Sequence, residues 1–127
     1  MAGLKKILIV EDDVMIRDLY RIALVDKQYT VEVSGDAATV YQKAPIYQPD
    51  CVLLDIMLPG VSGLEILKEL RTNPIHGCQN AKIIILTNLA QRSATENAME
   101  NGADGYIIKA DILPKDLPSV IVSLEEE

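Results

Sequence analysis

Five short apolar segments alternate with segments of helical periodicity, and this alternation constrains the fold more than any other feature of the chain. Their apolar character on both faces is typical of strands in a parallel sheet that is covered on both sides. Strand–helix alternation with right-handed crossovers predicts a doubly wound α/β fold. The predicted strands are Lys6–Val10, Thr30–Val33, Cys51–Leu54, Ile83–Leu86 and Tyr106–Ile108.

Between and after these strands, apolar residues recur with the period of a helix. The predicted N-caps are Asp13, Asp36 and Ser62, and we expect Pro45 and Pro74 to end the second and third helices. The fourth helix has only alanines at its apolar positions, so we expect it to pack weakly. The five stripes are Ile16, Leu19, Tyr20 and Ala23; Ala37, Val40, Tyr41 and Ala44; Gly63, Ile66, Leu67 and Leu70; Ala90, Ala94 and Ala98; and Leu117, Val120, Ile121 and Leu124.

The composition limits the class of protein. A chain of 127 residues has the size of one domain, and we place its core at about residues 5–124. A net charge of −7 argues against direct binding to nucleic acid. Apolar runs of four residues are too short to cross a membrane, and the acids at 11–13 interrupt the first run, so we expect a cytoplasmic protein. Cys51 and Cys78 are expected to be reduced thiols.

Charged residues stand where three of the predicted strands end. Glu11 and Asp12 follow the first strand, Asp55 follows the third, and Lys109 follows the fifth. In such a fold, ligands bind beyond the carboxyl ends of the strands. Two carboxylates about 5 Å apart repel each other by roughly 3 kcal/mol at an effective dielectric of about 20, so three together must either take up a proton or bind a cation. We predict Mg²⁺, or Mn²⁺ in its place, bound by Glu11 through water, by Asp12 and Asp55 directly, and by the backbone carbonyl of Met57.

An aspartate in such a site can also accept a phosphoryl group and form an acyl phosphate. Asp55 is the candidate because its strand lies at the centre of the predicted sheet. Transfer requires charge neutralisation around the phosphoryl oxygens. The Lys109 ammonium and the Thr87 hydroxyl, which ends the fourth strand, are the predicted donors to those oxygens.

Four segments, ILIVEDD, LLDIMLPGVSG, IILTN and NGADGYIIK, resemble the marks of the response-regulator receiver domain of two-component signalling. The resemblance runs from about Lys5 to Leu124. It implies a flavodoxin-like three-layer sandwich, with a five-stranded parallel sheet in the order 2-1-3-4-5 and five flanking helices. It also implies that Asp55 is phosphorylated, that Thr87 is the switch hydroxyl, that Lys109 contacts the phosphate and that Tyr106 is the switch aromatic residue.

The chain departs from the family pattern at several positions around the site. Ala110 follows Lys109 where the family usually has proline after a cis bond, and Asn88 stands where the family prefers a small residue that leaves access to Asp55. Met57 and Leu89, each two residues past a site residue, are apolar. We expect Met57, Asn88 and Leu89 to tune the site, with the two apolar residues shielding the acyl phosphate from water.

Three functions are compatible with these residues. The first is a phosphorylation-switched interaction module, in which Thr87 moves, Tyr106 turns inward and the face of helix four, strand five and helix five repacks. The second is an Asp55-nucleophile phosphohydrolase, which the apolar Met57 disfavours because such enzymes usually carry an acid there. The third is a flavin or nucleotide carrier, for which the phosphate-binding loop after strand one is missing.

The first function defines the expected partners. The donor would be a histidine kinase, a phosphotransfer protein or a small phosphodonor, and the protein would not be an enzyme beyond assisting its own phosphorylation and dephosphorylation. The target would be another protein, or an output domain of the same protein if the chain is part of a longer one. Phosphorylation-driven homodimerisation is a further expectation. His76 is expected to be a surface residue rather than a phosphocarrier.

Overall fold

The computed structural model describes residues 5–125 and shows one parallel sheet flanked by five helices. The strands follow the order β2-β1-β3-β4-β5, which confirms the predicted doubly wound topology. The strands are β1 (Lys6–Val10), β2 (Thr30–Ser34), β3 (Cys51–Asp55), β4 (Lys82–Thr87) and β5 (Gly105–Ile108), and the helices are α1 (Val14–Asp26), α2 (Ala37–Tyr47), α3 (Gly63–Thr72), α4 (Arg92–Glu100) and α5 (Leu117–Glu125).

The core consists of two apolar layers, one on each face of the sheet. In β1, Leu8 and Val10 point into the layer beneath α2, α3 and α4, whereas Ile7 and Ile9 point into the layer beneath α1 and α5. Every residue of β3 is buried, because this strand lies at the centre of the sheet with helices on both sides. Asp55, the last residue of β3, is therefore a charged group at the end of the most buried strand.

The helices begin largely where the sequence predicts. Asp13 accepts hydrogen bonds from the backbone N–H groups of Met15 and Ile16, Asp36 from Thr39, and Ser62 from Glu65, which confirms the three N-caps. All four residues of the α3 stripe are buried, as predicted. No helix within residues 5–125 combines the length and the apolar character that a bilayer crossing requires.

Two helix predictions are wrong in detail. Pro45 lies inside α2, which continues to Tyr47, rather than ending it. Ala90 is exposed and precedes α4, because a 3-10 turn at Leu89–Gln91 occupies the positions where the helix was expected to begin. The inner face of α4 therefore consists of Thr95 and Ala98, with Ala94 partly buried beside them.

The expectation that His76 is a surface residue is also wrong. Its side chain is buried in the loop that follows α3, where the ring stacks on Tyr41 with 4.7 Å between ring centroids. The Nε2 atom lies 3.0 Å from Oε1 of Glu69. This residue helps to join α2 to α3 at the end of the sheet opposite the acidic residues, a role that loop composition does not reveal.

Candidate functional site

The sheet register brings the predicted site residues to one edge. Val10 is paired with Leu54, so the residues that follow, Glu11 and Asp55, lie side by side. Thr87 is paired with Ile108 at the ends of β4 and β5, and Lys109 comes next. The parallel direction of the strands thus collects side chains that lie 98 residues apart in the chain, as in the case of Glu11 and Lys109.

Three carboxylates form the centre of the site. Glu11, Asp12 and Asp55 each offer an oxygen atom, and these atoms all lie within 4.8 Å of one another. Glu11 is 1% exposed and Asp55 is 3% exposed, whereas Asp12 faces solvent. Oxygen ligands of this kind, two buried and one open to water, suit a hard divalent cation that keeps part of its hydration shell. The donor set therefore fits Mg²⁺.

Lys109 completes the cluster with a positive charge. Its Nζ atom donates to Oε1 of Glu11 at 2.8 Å and to Oδ2 of Asp55 at 2.9 Å. All peptide bonds of residues 5–125 are trans, including Lys109–Ala110. The lysine thus reaches both carboxylates although alanine replaces the proline of the family pattern.

The pKa values of Glu11 and Lys109 both lie above their usual values in this cluster. Burial and the neighbouring Asp55 carboxylate raise the pKa of Glu11 to about 7, although Lys109 opposes this shift. Burial lowers the pKa of Lys109, but the hydrogen bonds to Glu11 and Asp55 outweigh that effect and raise it above its usual value. The ammonium is therefore charged at neutral pH, whereas burial and the Asp55 carboxylate disfavour the ionised form of Glu11.

Backbone groups hold the acids in position. The N–H of Met57 donates to Oδ1 of Asp55 at 3.0 Å, so both Asp55 oxygens accept a hydrogen bond, Oδ1 from Met57 and Oδ2 from Lys109. The N–H of Asp13 donates to Oε2 of Glu11 at 3.3 Å, and Arg17 Nη1 donates to the Glu11 carbonyl at 3.2 Å. These bonds hold the Asp55 and Glu11 carboxylates in place before any ligand binds, which favours preorganised chemistry.

Thr87 lies at the predicted edge, but its hydroxyl bonds away from the acids. Its Oγ1 atom is 2.7 Å from Oγ1 of Thr95, 3.2 Å from Oε1 of Gln91 and 3.3 Å from the carbonyl oxygen of Asn88. These partners belong to α4 and to the turn that leads into it. The structure therefore brings Glu11, Asp12, Asp55 and Lys109 together and joins Thr87 to α4.

The remaining predicted residues surround the site. Tyr106 is 48% exposed and, with Thr87, Leu89 and Met99, borders a cavity of about 410 Å³ beside α4. Met57 is 59% exposed and Leu89 is 71% exposed. Asn88 is exposed, and its side chain caps the 3-10 turn by accepting a hydrogen bond from the N–H of Ala90 at 3.1 Å.

Sequence reasoning missed two polar partners of Thr87. Thr95 stands on the predicted fourth helix only three residues before Ala98, at an inward position, and it is 7% exposed. Gln91 lies one helical turn before Thr95, on the same face. The available signal was a polar residue at an inward position of the helix.

The comparison with protein families gives one match that covers most of the chain. The sequence profile of the response regulator receiver domain matches residues 7–121. The response regulator ArlR of Staphylococcus saprophyticus is 36% identical over 104 residues, which are 82% of this chain and 45% of that protein. The DNA-binding response regulator MtrA of Mycolicibacterium paratuberculosis is 32% identical over 113 residues, which are 89% of this chain and 48% of that protein. The chain spans about half the length of these two relatives.

A solved structure gives the same result for the fold. The receiver domain of the sensor histidine kinase PA1611 from Pseudomonas aeruginosa superposes with a TM-score of 0.80, with 25% identity over 99% of this chain and 100% of that one. That structure has a magnesium ion coordinated in its active site cleft.

Proposed function

This chain belongs to the response regulator receiver domain family, and we propose that Asp55 is the residue at which it accepts a phosphoryl group. Members of this family are phosphorylation-switched signalling modules of two-component systems. The position of Asp55 at the centre of the charged cluster supports this assignment. Asp55 ends the central strand, its Oδ2 atom contacts Lys109, and its carboxylate lies within 4.8 Å of the Glu11 and Asp12 oxygens.

We propose Mg²⁺ as the cofactor, with Mn²⁺ as a substitute. Asp12 and Asp55 would bind it directly, Glu11 through water, and Met57 through its backbone carbonyl. When bound, the ion would neutralise charge on the phosphoryl oxygens. The raised pKa of Glu11 is consistent with this assignment, because burial and the neighbouring Asp55 carboxylate disfavour its ionised form and a bound cation would stabilise it.

In the transfer, an oxygen of Asp55 forms a bond to phosphorus while the bond from phosphorus to the donor breaks. With a phosphohistidine donor, the leaving group is an imidazole nitrogen, and the product is an aspartyl phosphate. Lys109, which already forms a hydrogen bond with Asp55, would neutralise the charge on one phosphoryl oxygen. Thr87 would donate to a second after leaving its partners on α4.

We propose that this movement of Thr87 is what the rest of the protein senses. As Thr87 turns toward the phosphoryl group, it leaves space on β4 for the ring of Tyr106, which is now 48% exposed. The face formed by α4, β5 and α5 then repacks and changes its affinity for a protein partner. The activity of the chain is limited to its own phosphorylation and dephosphorylation, with Met57, Asn88 and Leu89 setting the lifetime of the acyl phosphate.

Further proposals concern the setting of the domain. We propose that residues 1–127 form one cytoplasmic receiver domain with its core at about residues 5–124. Its donor would be a histidine kinase or a phosphotransfer protein. The target would be a separate protein or an output domain of the same protein, and phosphorylation would favour a homodimer. Contact with DNA, which the name of the mycobacterial relative indicates for that protein, would not involve this domain directly.

Beryllofluoride, a mimic of the phosphoryl group, tests the assignment. Addition with Mg²⁺ should shift the backbone amide resonances of residues near Asp55, and acetyl phosphate should leave one base-labile, hydroxylamine-labile phosphate on the protein. Asp55→Asn should abolish both effects, whereas Asp18→Asn, a change of an exposed acid on α1, should leave both unchanged. A phosphate retained by Asp55→Asn would show that another residue accepts it. Rapid release of inorganic phosphate with no adduct would favour a phosphohydrolase.

A further inference from the structure

Thr95 is a buried hydroxyl on the inner face of α4, where an apolar residue would be expected. It is 7% exposed, and its Oγ1 atom lies 2.7 Å from Oγ1 of Thr87, which is 2% exposed. The same Thr95 atom donates to the backbone carbonyl of Gln91 at 2.9 Å. Thr87 is thus bonded to a helix rather than to the acidic cluster beside it.

The number of hydroxyl protons determines the direction of these hydrogen bonds. Each threonine hydroxyl has one proton to donate. When Thr95 gives its proton to the Gln91 carbonyl, Thr87 must be the donor in the bond that joins the two hydroxyls. The single proton that Thr87 could give to a phosphoryl oxygen is then already engaged by Thr95, with the Asn88 carbonyl and Gln91 Oε1 as the alternative acceptors.

We propose that Thr95 is a positioning residue that holds the Thr87 hydroxyl away from Asp55. In the unphosphorylated state it thereby connects α4 to β4. This inference rests on the proposed function, since it takes Asp55 as the phosphoacceptor and Thr87 as the responding hydroxyl. Phosphorylation withdraws the Thr87 proton from Thr95 and thereby removes a bond between β4 and α4. The helix is then held by Ala98 and its partly buried neighbours.

Moving Thr87 away from Thr95 costs little free energy, because Thr95 keeps the hydrogen bond that it donates. When Thr87 leaves, the Thr95 proton still has the Gln91 carbonyl as its acceptor, so no buried donor is left without a partner. Breaking the contact between Thr87 and Thr95 therefore costs about one neutral hydrogen bond. Such a bond is worth roughly a three- to tenfold change in an equilibrium constant.

Thr95→Val tests this proposal because valine has nearly the shape of threonine and lacks the hydroxyl. The variant removes a bond that exists only in the unphosphorylated state, so it should bind beryllofluoride with Mg²⁺ roughly three- to tenfold more tightly than the unaltered protein. Thr95→Ser retains the hydroxyl and should stay within about twofold. Ser93→Ala, which removes an exposed hydroxyl from the same helix, should leave the affinity unchanged.

A second measurement is independent of phosphorylation. Without beryllofluoride, three-bond couplings to the Thr87 methyl group should report one side-chain rotamer in the unaltered protein and in Thr95→Ser, and an average of rotamers in Thr95→Val. Thr95→Ala provides the same test if valine prevents folding. Unchanged affinity and an unchanged Thr87 rotamer in Thr95→Val would overturn the role of Thr95. Failure of the unaltered protein to bind beryllofluoride would instead overturn the proposed function.

Discussion

The two sides of the site differ in how tightly their helices pack against the sheet. On the β3 side, α3 lies directly against the strand that carries Asp55, and it buries Ile66, Leu67 and Leu70 completely. On the β4–β5 side, α4 buries only Thr95 and Ala98, and a cavity of about 410 Å³ separates its outer residues from Tyr106. The first side holds the acids, and the second is the side that we propose responds.

The difference matches what each side would do in the proposed function. Phosphoryl transfer to Asp55 would require fixed distances between charged groups, and large buried side chains hold α3 and β3 together. A switch requires two packings of similar free energy, and small side chains with a few hydroxyl bonds provide a low barrier between them. The comparison predicts that substitutions on the β3 side change stability strongly and that substitutions on the α4 side do not.

The largest effect should come from Gly63→Ala. A Cβ atom at this position would lie 2.2 Å from the carbonyl oxygen of Asp55 and 2.7 Å from Cα of Ile56, and both are backbone atoms that cannot turn aside. Helix α3 would have to move away from β3, so urea unfolding should show a loss of more than about 3 kcal/mol.

Gly35→Ala is the matched control for that change. Its Cβ atom would meet the end of the flexible Arg17 side chain at 3.0 Å and no backbone atom closer than 3.9 Å, so the loss should stay below about 1 kcal/mol. Equal losses of stability for Gly63→Ala and Gly35→Ala would show that the close approach of α3 to the Asp55 backbone does not restrict residue 63 to glycine.

A pair of core truncations compares the two helices directly. Leu67→Ala on α3 removes a fully buried side chain and should cost about 3 to 4 kcal/mol. Ala98→Gly on α4 removes the largest apolar group that this helix buries completely, and it should cost about 1 kcal/mol. Amide hydrogen exchange should likewise be faster in α4 than in α3. Similar protection of the two helices would contradict the comparison.

The third effect depends on pH. The pKa of Glu11 rises from 4.5 to about 7 on folding, so the folded protein binds more protons than the unfolded chain between these values. Stability from this group is therefore complete below about pH 4.5 and is lost as the pH rises through 7. In the presence of a chelator, Glu11→Gln should match the unaltered protein near pH 4.5 and exceed its stability by roughly 3 kcal/mol above pH 7.

Glu100→Gln on α4 is the control for the pH series, because this carboxylate is exposed. Its difference from the unaltered protein should remain small at each pH. If the difference in stability between Glu11→Gln and the unaltered protein also stayed constant with pH, Lys109 would fully compensate the charge of the buried Glu11 carboxylate.

The two sides also differ in how well the sequence predicts them. For the acidic cluster, strand ends and charges suffice, because the parallel strands β1, β3 and β5 bring Glu11, Asp55 and Lys109 together at their carboxyl ends. On the α4 side, the position of Thr87 was predicted, but the direction of its hydroxyl was not. That direction depends on Thr95, eight residues away, and on a 3-10 turn that shifts the start of α4. Side-chain rotamers of this kind follow from tertiary packing, which periodicity alone does not describe.

The smallest effect should come from Arg92→Ala, which removes an ion pair on α4. Arg92 Nε lies 3.3 Å from Oε1 of Glu96, but the two side chains are 89% and 67% exposed, so the loss should stay below about 0.5 kcal/mol. Arg71 on α3 provides the contrast. It is 15% exposed, pairs with Asp104, and donates to the carbonyls of Ala81 at 2.7 Å and Gly102 at 2.8 Å, so Arg71→Ala should cost about 2 kcal/mol or more. If chemical denaturation gave equal losses for the two arginines, the buried contacts of Arg71 would add nothing beyond an exposed ion pair, and this difference between the two sides of the site would be lost.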